Sequence, residues 1–357
     1  NRALLTNQDA STIRNSNLFK YSPFNTLTPE QEQVSQEVLF NAIDCLESGE
    51  TGTSVLSGKA GTGKSIVLIH MMYTLMSAMN VTYNDEDLTP DEQLELGIRI
   101  SLSNKIRDYV KRHGNLKIAF VVPMTSIRKT FKAVFSASKG TGLKSNMVMG
   151  PQDVLKEDYD IVFVDESHRL ARRKGITSYG SFDEACARLG LDPMVSTQLD
   201  MIQKKSKYSV LVYDGCQTVK AADLTPEQFQ RSLDLRIRTA HRVILQTQMR
   251  CEGGRTYVEY LDSVFQISQK ENLQMENYDF KIWDDPNAMI EDIRTKERDI
   301  TLCRVVAGYS WKWKSKKCKT IEEAVRKRVE DIDLAGQKYV WNMDNQEWIL
   351  REGAVNE

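Results

Sequence analysis

Residues Gly58-Lys59-Ala60-Gly61-Thr62-Gly63-Lys64-Ser65 fit the pattern G-x-x-x-x-G-K-[ST], a loop that cradles a triphosphate. The glycines let backbone N–H groups turn inward around phosphate oxygens. Lys64 has the reach for the β- and γ-phosphates, and the Ser65 hydroxyl suits Mg²⁺. The flanks agree with the loop. Thr53–Ser57 is a short β-rich run that reads as a strand, and Ser65–Met79 is apolar and free of Gly and Pro, so it reads as a helix. Strand, glycine loop and helix in that order put the phosphates at a helix N-terminus, where free N–H groups and the dipole favour anions.

Working outward, Leu27-Thr28-Pro29-Glu30-Gln31 opens a helix to about Leu46, with Thr28 as the cap, Pro29 at the first position and Gln31 at the third. Residues 1–26 are polar and aperiodic and read as a lead-in. Residues 83–97 are acidic and turn-rich, which predicts an exposed insertion before a helix over about 98–113. Strands are expected at Lys117–Val122, Asp160–Val164, Tyr208–Tyr213 and His241–Leu245, with a helix at Met124–Phe135. Strands alternating with helices predict an α/β fold with a mostly parallel sheet flanked by helices. A first domain over 27–251 and a second unit over 252–357, carrying a strand at Ile300–Ala307, complete the organisation.

Bulk properties narrow the class. With 357 residues the chain is long enough for about two domains. Hydrophobic residues make up 41 % and charged residues 27 %, as in globular domains. The net charge of −1 means that any nucleic-acid site is a local patch. Six cysteines without C-x-x-C spacing argue against a zinc site and a disulfide framework, and fit the cytoplasm. The longest apolar run, Ile66–Met76, is too short to span a bilayer, and no membrane partner is expected.

Several constellations carry chemistry. Ile161–Val164 followed by Asp165-Glu166 pushes two carboxylates out of a strand end. Asp165 suits Mg²⁺ and Glu166 suits polarising a water. His168 either couples this edge to its neighbours or caps the next segment. Gln217, after the strand YSVLVY, is either a γ-phosphate sensor or an ordinary loop amide. Arg250 is either a cation for transferred phosphate or a structural ion pair. Between Lys105 and Lys144 eight further cations, Arg128 and Lys132 among them, meet only Asp108. Pro123, Thr125 and Ser126 sit inside this stretch, which reads as a phosphate-backbone track or a solvated helix face. Trp311 and Trp313, among lysines, suit stacking on bases or packing inward.

In order, these pieces resemble a superfamily 1 helicase core. Leu27–Gln31 is similar to the Q-motif, GKAGTGKS to motif I, VVPMTS to motif Ia, VDESH to motif II, YDGCQ to motif III and LQTQMR to motif IV. More narrowly, MGPQDVL, YDIVFVDESHRLARR, VLVYDGCQTVKAADL, LQTQMRCEGG and VAGYSWKWKS resemble the bacterial helicase-like family related to the Schlafen group 3 DNA/RNA helicase domain. That resemblance covers roughly residues 27–350. It implies a RecA-like P-loop ATPase using ATP and Mg²⁺ on single-stranded DNA or RNA. Gln31 would read adenine. Gly58, Ala60, Gly61, Thr62, Gly63, Lys64 and Ser65 would hold phosphates, and Ser65 and Asp165 the metal. Glu166, Lys64, Gln217 and Arg250 would be the catalytic set. Pro123, Thr125, Ser126, Arg128, Lys132, Trp311 and Trp313 would meet nucleic acid. The resemblance also suggests a fused or partner nuclease or other effector. A nucleotide-gated switch that unwinds nothing is the competing expectation. The family's Gln-Gly motif and last arginine-bearing strand have no counterpart before Glu357, so an incomplete second RecA-like lobe and a fragment are expected.

Overall fold

The structure, a computed structural model, describes residues 20–80, 90–217, 220–247, 254–265, 278–300, 303–307, 312–318 and 320–341. The chain divides into two compact units, residues 1–277 and 278–357. In the first, the elements are α1 (Pro29–Glu47), β1 (Gly52–Gly58), α2 (Lys64–Asn80), α3 (Pro90–His113), β2 (Ile118–Val121), α4 (Thr125–Ala137), β3 (Val148–Met149), β4 (Tyr159–Val164), α5 (Tyr179–Leu189), α6 (Gln198–Lys204), β5 (Ser206–Tyr213), α7 (Pro226–Asp234), β6 (His241–Leu245) and α8 (Gly254–Val264).

Six strands form one sheet in the order β3-β2-β4-β5-β1-β6, every pairing parallel. A parallel pair needs a long crossover, and the helices between strands supply it. Successive residues point to opposite faces. Ile161 and Phe163 of β4 therefore join Leu56, Phe120 and Val210 under α1, α2, α3 and α4, while Val162 and Val164 join Val55, Val121 and Leu211 under α6 and α7. Phe131, Val134 and Phe135 pin α4 to the first face at helical spacing, and each such buried side chain contributes about 1.5–3 kcal/mol. The architecture is the α/β sheet flanked by helices that the alternating pattern predicts.

The five letters Leu-Thr-Pro-Glu-Gln occur at 27–31 and again at 224–228. Both copies fold alike. Thr28 with Gln31 and Thr225 with Gln228 each make a reciprocal capping box, with Pro at the helix start. Pro90 stands at the start of α3, so the helix expected from about residue 98 begins earlier, at 90; residues 81–89 lie outside the described set.

The second unit holds α9 (Pro286–Ile300), α10 (Ile321–Arg326) and an antiparallel pair, β7 (Ile332–Leu334) and β8 (Gln337–Tyr339). The strand expected at Ile300–Ala307 is corrected. Ile300 ends α9, and residues 303–307 make no ladder. Arg304 of this β-branched run turns back to Glu297 of α9 at 3.0 Å and to the Cys303 carbonyl at 2.6 Å. Local side-chain bonds, not a strand partner, occupy it.

Candidate nucleotide site

Parallel strands all end on one edge of the sheet, and the loops leaving that edge meet. Ser57 of β1 is level with Tyr213 of β5, and Leu211 of β5 with Val164 of β4. The glycine loop, Asp165-Glu166 and Asp214–Gln217 therefore emerge side by side, where ligands bind in open α/β sheets.

The glycine loop owes its shape to a few contacts. Gly63 has φ +83°, and a Cβ there would lie 2.5 Å from Gln31 Nε2, so only glycine fits. The Thr62 hydroxyl donates to the Lys59 carbonyl at 3.1 Å. Lys64 is buried, and its ammonium donates to the Gly58 and Lys59 carbonyls and lies 3.5 Å from Asp214 Oδ2. Ala60 and Lys59 at the loop tip are exposed. Lys59 pairs with Asp262 of α8 at 2.7 Å.

Ser65 Oγ donates to Asp165 Oδ2 at 2.8 Å, joining positions one hundred residues apart. Asp165 is buried. Burial, then the neighbouring Glu166, push its carboxyl up to about 6, against the Ser65 hydrogen bond and Lys64. Glu166 sits at φ 50°, ψ 45°, a left-handed conformation uncommon outside glycine, which turns the chain sharply after β4. Its backbone N–H donates to Asp165 Oδ1 at 3.1 Å. His168, fully buried, brings Nε2 to 3.1 Å from Glu166 Oε2 in an off-line contact. That contact, outweighing burial, holds Glu166 below the usual carboxylate range. His168 also meets Tyr213 edge-on, and Tyr213 stacks on Phe229 at 3.9 Å. The ring ties the acidic turn to β5 and α7. A hydroxyl and a carboxylate, both hard oxygen donors, already within 2.8 Å, suit Mg²⁺, which commonly takes one or two protein ligands with phosphates and waters.

The side-chain amide of Gln31, 3 % exposed, is committed to backbone. Its Oε1 accepts from Thr28 N at 3.1 Å and its Nε2 donates to the Thr62 carbonyl at 3.0 Å. Glu30, beside it, accepts from the backbone N–H groups of Gln246 at 2.8 Å and Thr247 at 3.2 Å. These bonds hold Glu30 below its ordinary value although burial opposes them. One turn thus braces both the glycine loop and the segment leaving β6. Glu30 was missed in the sequence because the N–H groups that donate to it lie 216 and 217 positions away. Arg250 lies outside the described residues.

Gln217 Nε2 donates to Asp214 Oδ2 at 2.7 Å. Asp214 was also missed as a site residue, although an acid directly after YSVLVY repeats the pattern of Asp165 after its strand.

The nucleic-acid candidates separate. Thr125, Ser126 and Lys132 are exposed on α4, and Pro123 is half-buried in the loop before it, on the same sheet edge. Arg128 instead turns inward. It donates to the Val122 carbonyl at 3.0 Å and the Pro123 carbonyl at 3.1 Å, and packs so close to Gly150 that a Cβ there would lie 2.7 Å from Nη1. Trp313 is half-buried in the second unit, edge-on to Trp341 at 5.3 Å with Lys316 over its ring. Trp311 lies outside the described residues. Among the described residues no helix is long and apolar enough to cross a membrane.

Comparison with known proteins gives three findings. The family described as Schlafen group 3, DNA/RNA helicase domain, matches residues 52–357. An uncharacterized protein of Saccharomyces cerevisiae, YPL245W, is 24 % identical over 325 residues, covering 81 % of this chain. The chain spans 62 % of the length of that relative. Domain III of the replication initiation protein DnaA from Thermotoga maritima aligns over 71 % of this chain and 77 % of its own, at 10 % identity and a TM-score of 0.30, too low to carry any argument.

Proposed function

This chain belongs to the Schlafen group 3 DNA/RNA helicase domain family, and we propose that it is an ATP-dependent translocase or helicase acting on single-stranded nucleic acid in the cytoplasm. Membership supports a nucleotide-dependent ATPase that meets DNA or RNA. The observation that carries the finer reading is the Ser65–Asp165 bond with the ionised Glu166 beside it, at the mouth of the glycine loop.

In this reading Gly58, Ala60, Gly61, Thr62, Gly63 and Lys64 surround the phosphates of ATP, and Ser65 and Asp165 would hold Mg²⁺. The metal supplies charge neutralisation on the phosphates. Glu166, ionised and held by His168, orients and deprotonates the attacking water. Gln217 reads the γ-phosphate, and Arg250 adds positive charge as the bond breaks. Gln31 would read adenine from a turn that also holds the loop. Pro123, Thr125, Ser126 and Lys132 would touch the strand, with Arg128 shaping their loop and Trp311 and Trp313 as stacking candidates. A domain over 27–251 would carry the ATPase, with 252–357 opening a second lobe. A fused or partner effector would use the nucleotide cycle.

The test is ATP turnover with and without single-stranded DNA or RNA. Turnover that rises on adding either strand, and is lost in Lys64→Ala, supports the proposal. Turnover indifferent to both would leave a nucleotide-gated switch instead.

A further inference from the structure

Asp214 is the first residue past β5, level with the start of the glycine loop. Its side chain and that of Lys64 are each only 8 % exposed, with Nζ and Oδ2 3.5 Å apart. The same oxygen accepts from Gln217 Nε2 at 2.7 Å, and the backbone closes the turn through Gln217 N to the Asp214 carbonyl at 3.1 Å. The other acceptors of the Lys64 ammonium are two neutral carbonyls, Gly58 and Lys59. Among its hydrogen-bond acceptors in the described residues, Asp214 is therefore the charged one.

We propose that Asp214 is a positioning residue that seats Lys64 and Gln217 on one carboxylate oxygen and contests the triphosphate for Lys64. The inference rests on the nucleotide-site reading above. The physical reason is charge. A triphosphate brought to Lys64 sets a second anion beside the Asp214 carboxylate, in a site where little water screens the two. Lys64 shifts toward the phosphate, and the carboxylate keeps its bond from Gln217. The Gln217 amide carries two N–H groups. With one fixed on Asp214, the plane of the amide is set, and the second is aimed by that bond. Phosphate arrival at Lys64 is thereby felt at Gln217 through a single shared atom.

The experiment measures equilibrium binding of a fluorescent ATP analogue and of its ADP counterpart, with steady-state kcat and KM, on the full chain. Asp214→Asn keeps the shape and removes the charge. It should tighten ATP about 3- to 10-fold, the span of a partly buried charge interaction, and tighten ADP less. It should also lower kcat, and adding Gln217→Ala should cause little further loss, because the two act as one unit. ATP affinity unchanged or weakened in Asp214→Asn overturns the proposal while the nucleotide site stands. Fully additive losses in kcat overturn the link to Gln217. A wild-type chain that binds no ATP overturns the site reading and this proposal with it. Should Asp214→Asn fold poorly, Asp214→Glu serves. It keeps the charge and should leave ATP no tighter than wild type, and tightening there overturns the competition.

Discussion

Gln31 donates its side-chain amide to the Thr62 carbonyl at 3.0 Å, so the start of α1 holds the glycine loop from outside. Gln228 occupies the same place in an identical five-residue helix start, where its side chain caps the Thr225 N–H at 3.3 Å. The pair is a natural control.

Gln31→Ala should destabilise the fold by about 1–2 kcal/mol, from a lost cap and an unsatisfied buried carbonyl. It should also weaken ATP binding. Gln228→Ala should cost about 0.5–1 kcal/mol and leave ATP binding alone. Denaturant unfolding and nucleotide titration measure both. Equal nucleotide affinities in the two variants would remove the bracing role of Gln31.

Glu166→Gln should bind ATP like wild type and slow turnover by about 10²–10⁴-fold, the usual weight of a positioned general base. His168→Ala should lower kcat less, with ATP affinity unchanged, because its contact at 3.1 Å holds Glu166 rather than the nucleotide. Single-turnover ATP hydrolysis separates the steps. Wild-type rates in Glu166→Gln would take that residue out of the chemistry.

Asp165 gives a pH dependence of definite sign. Its carboxyl is raised from 3.8 to about 6, so the folded chain holds this proton more tightly than the unfolded chain. Ionising it therefore costs stability as pH rises through that window, and the cost is fully present above about 6. Asp165→Asn should stabilise the fold more at pH 7.5 than at pH 4.5, read as the difference in urea midpoints. Mg²⁺ needs the carboxylate, so Mg²⁺-dependent ATP binding should weaken as pH falls below about 6. A stabilisation independent of pH would contradict the raised value.

Arg128 and Lys132 should respond differently to salt. Lys132 is exposed, and Lys132→Ala should reduce the salt slope of single-strand binding by about 1. Arg128 is engaged with the Val122 and Pro123 carbonyls, so Arg128→Ala should weaken binding by loosening the loop, with the slope kept. Titrations at several salt concentrations decide between them. A slope that falls in Arg128→Ala would return that guanidinium to the phosphate backbone.

Local pattern determined much of this protein. Gly58–Ser65 needs only its own glycines and the strand and helix around it, and Ile161–Glu166 needs only a buried strand that ends in acids. Both are short-range patterns, so both were legible, as were the alternation that makes a parallel sheet and the capping box of α1. The run Ile300–Ala307 misled because β-branched residues propose a strand without naming its partner. What remained hidden was which long-range groups meet. Five identical letters open both α1 and α7, yet only tertiary packing sends Gln31 to Thr62. Charge count made Arg128 a contact residue, and packing turned it onto its own loop. Arg236, one cation among several in its segment, is buried against Gln203, Ser206 and Ser209, which pushes its pKa down to about 10. Gln31 and Arg236 find partners 31 and 33 positions away, and Arg128 folds back on the loop before its own helix; in all three, packing and not spacing chose the partner. Sequence spacing therefore reveals the kind of chemistry present, and the fold decides which atoms carry it.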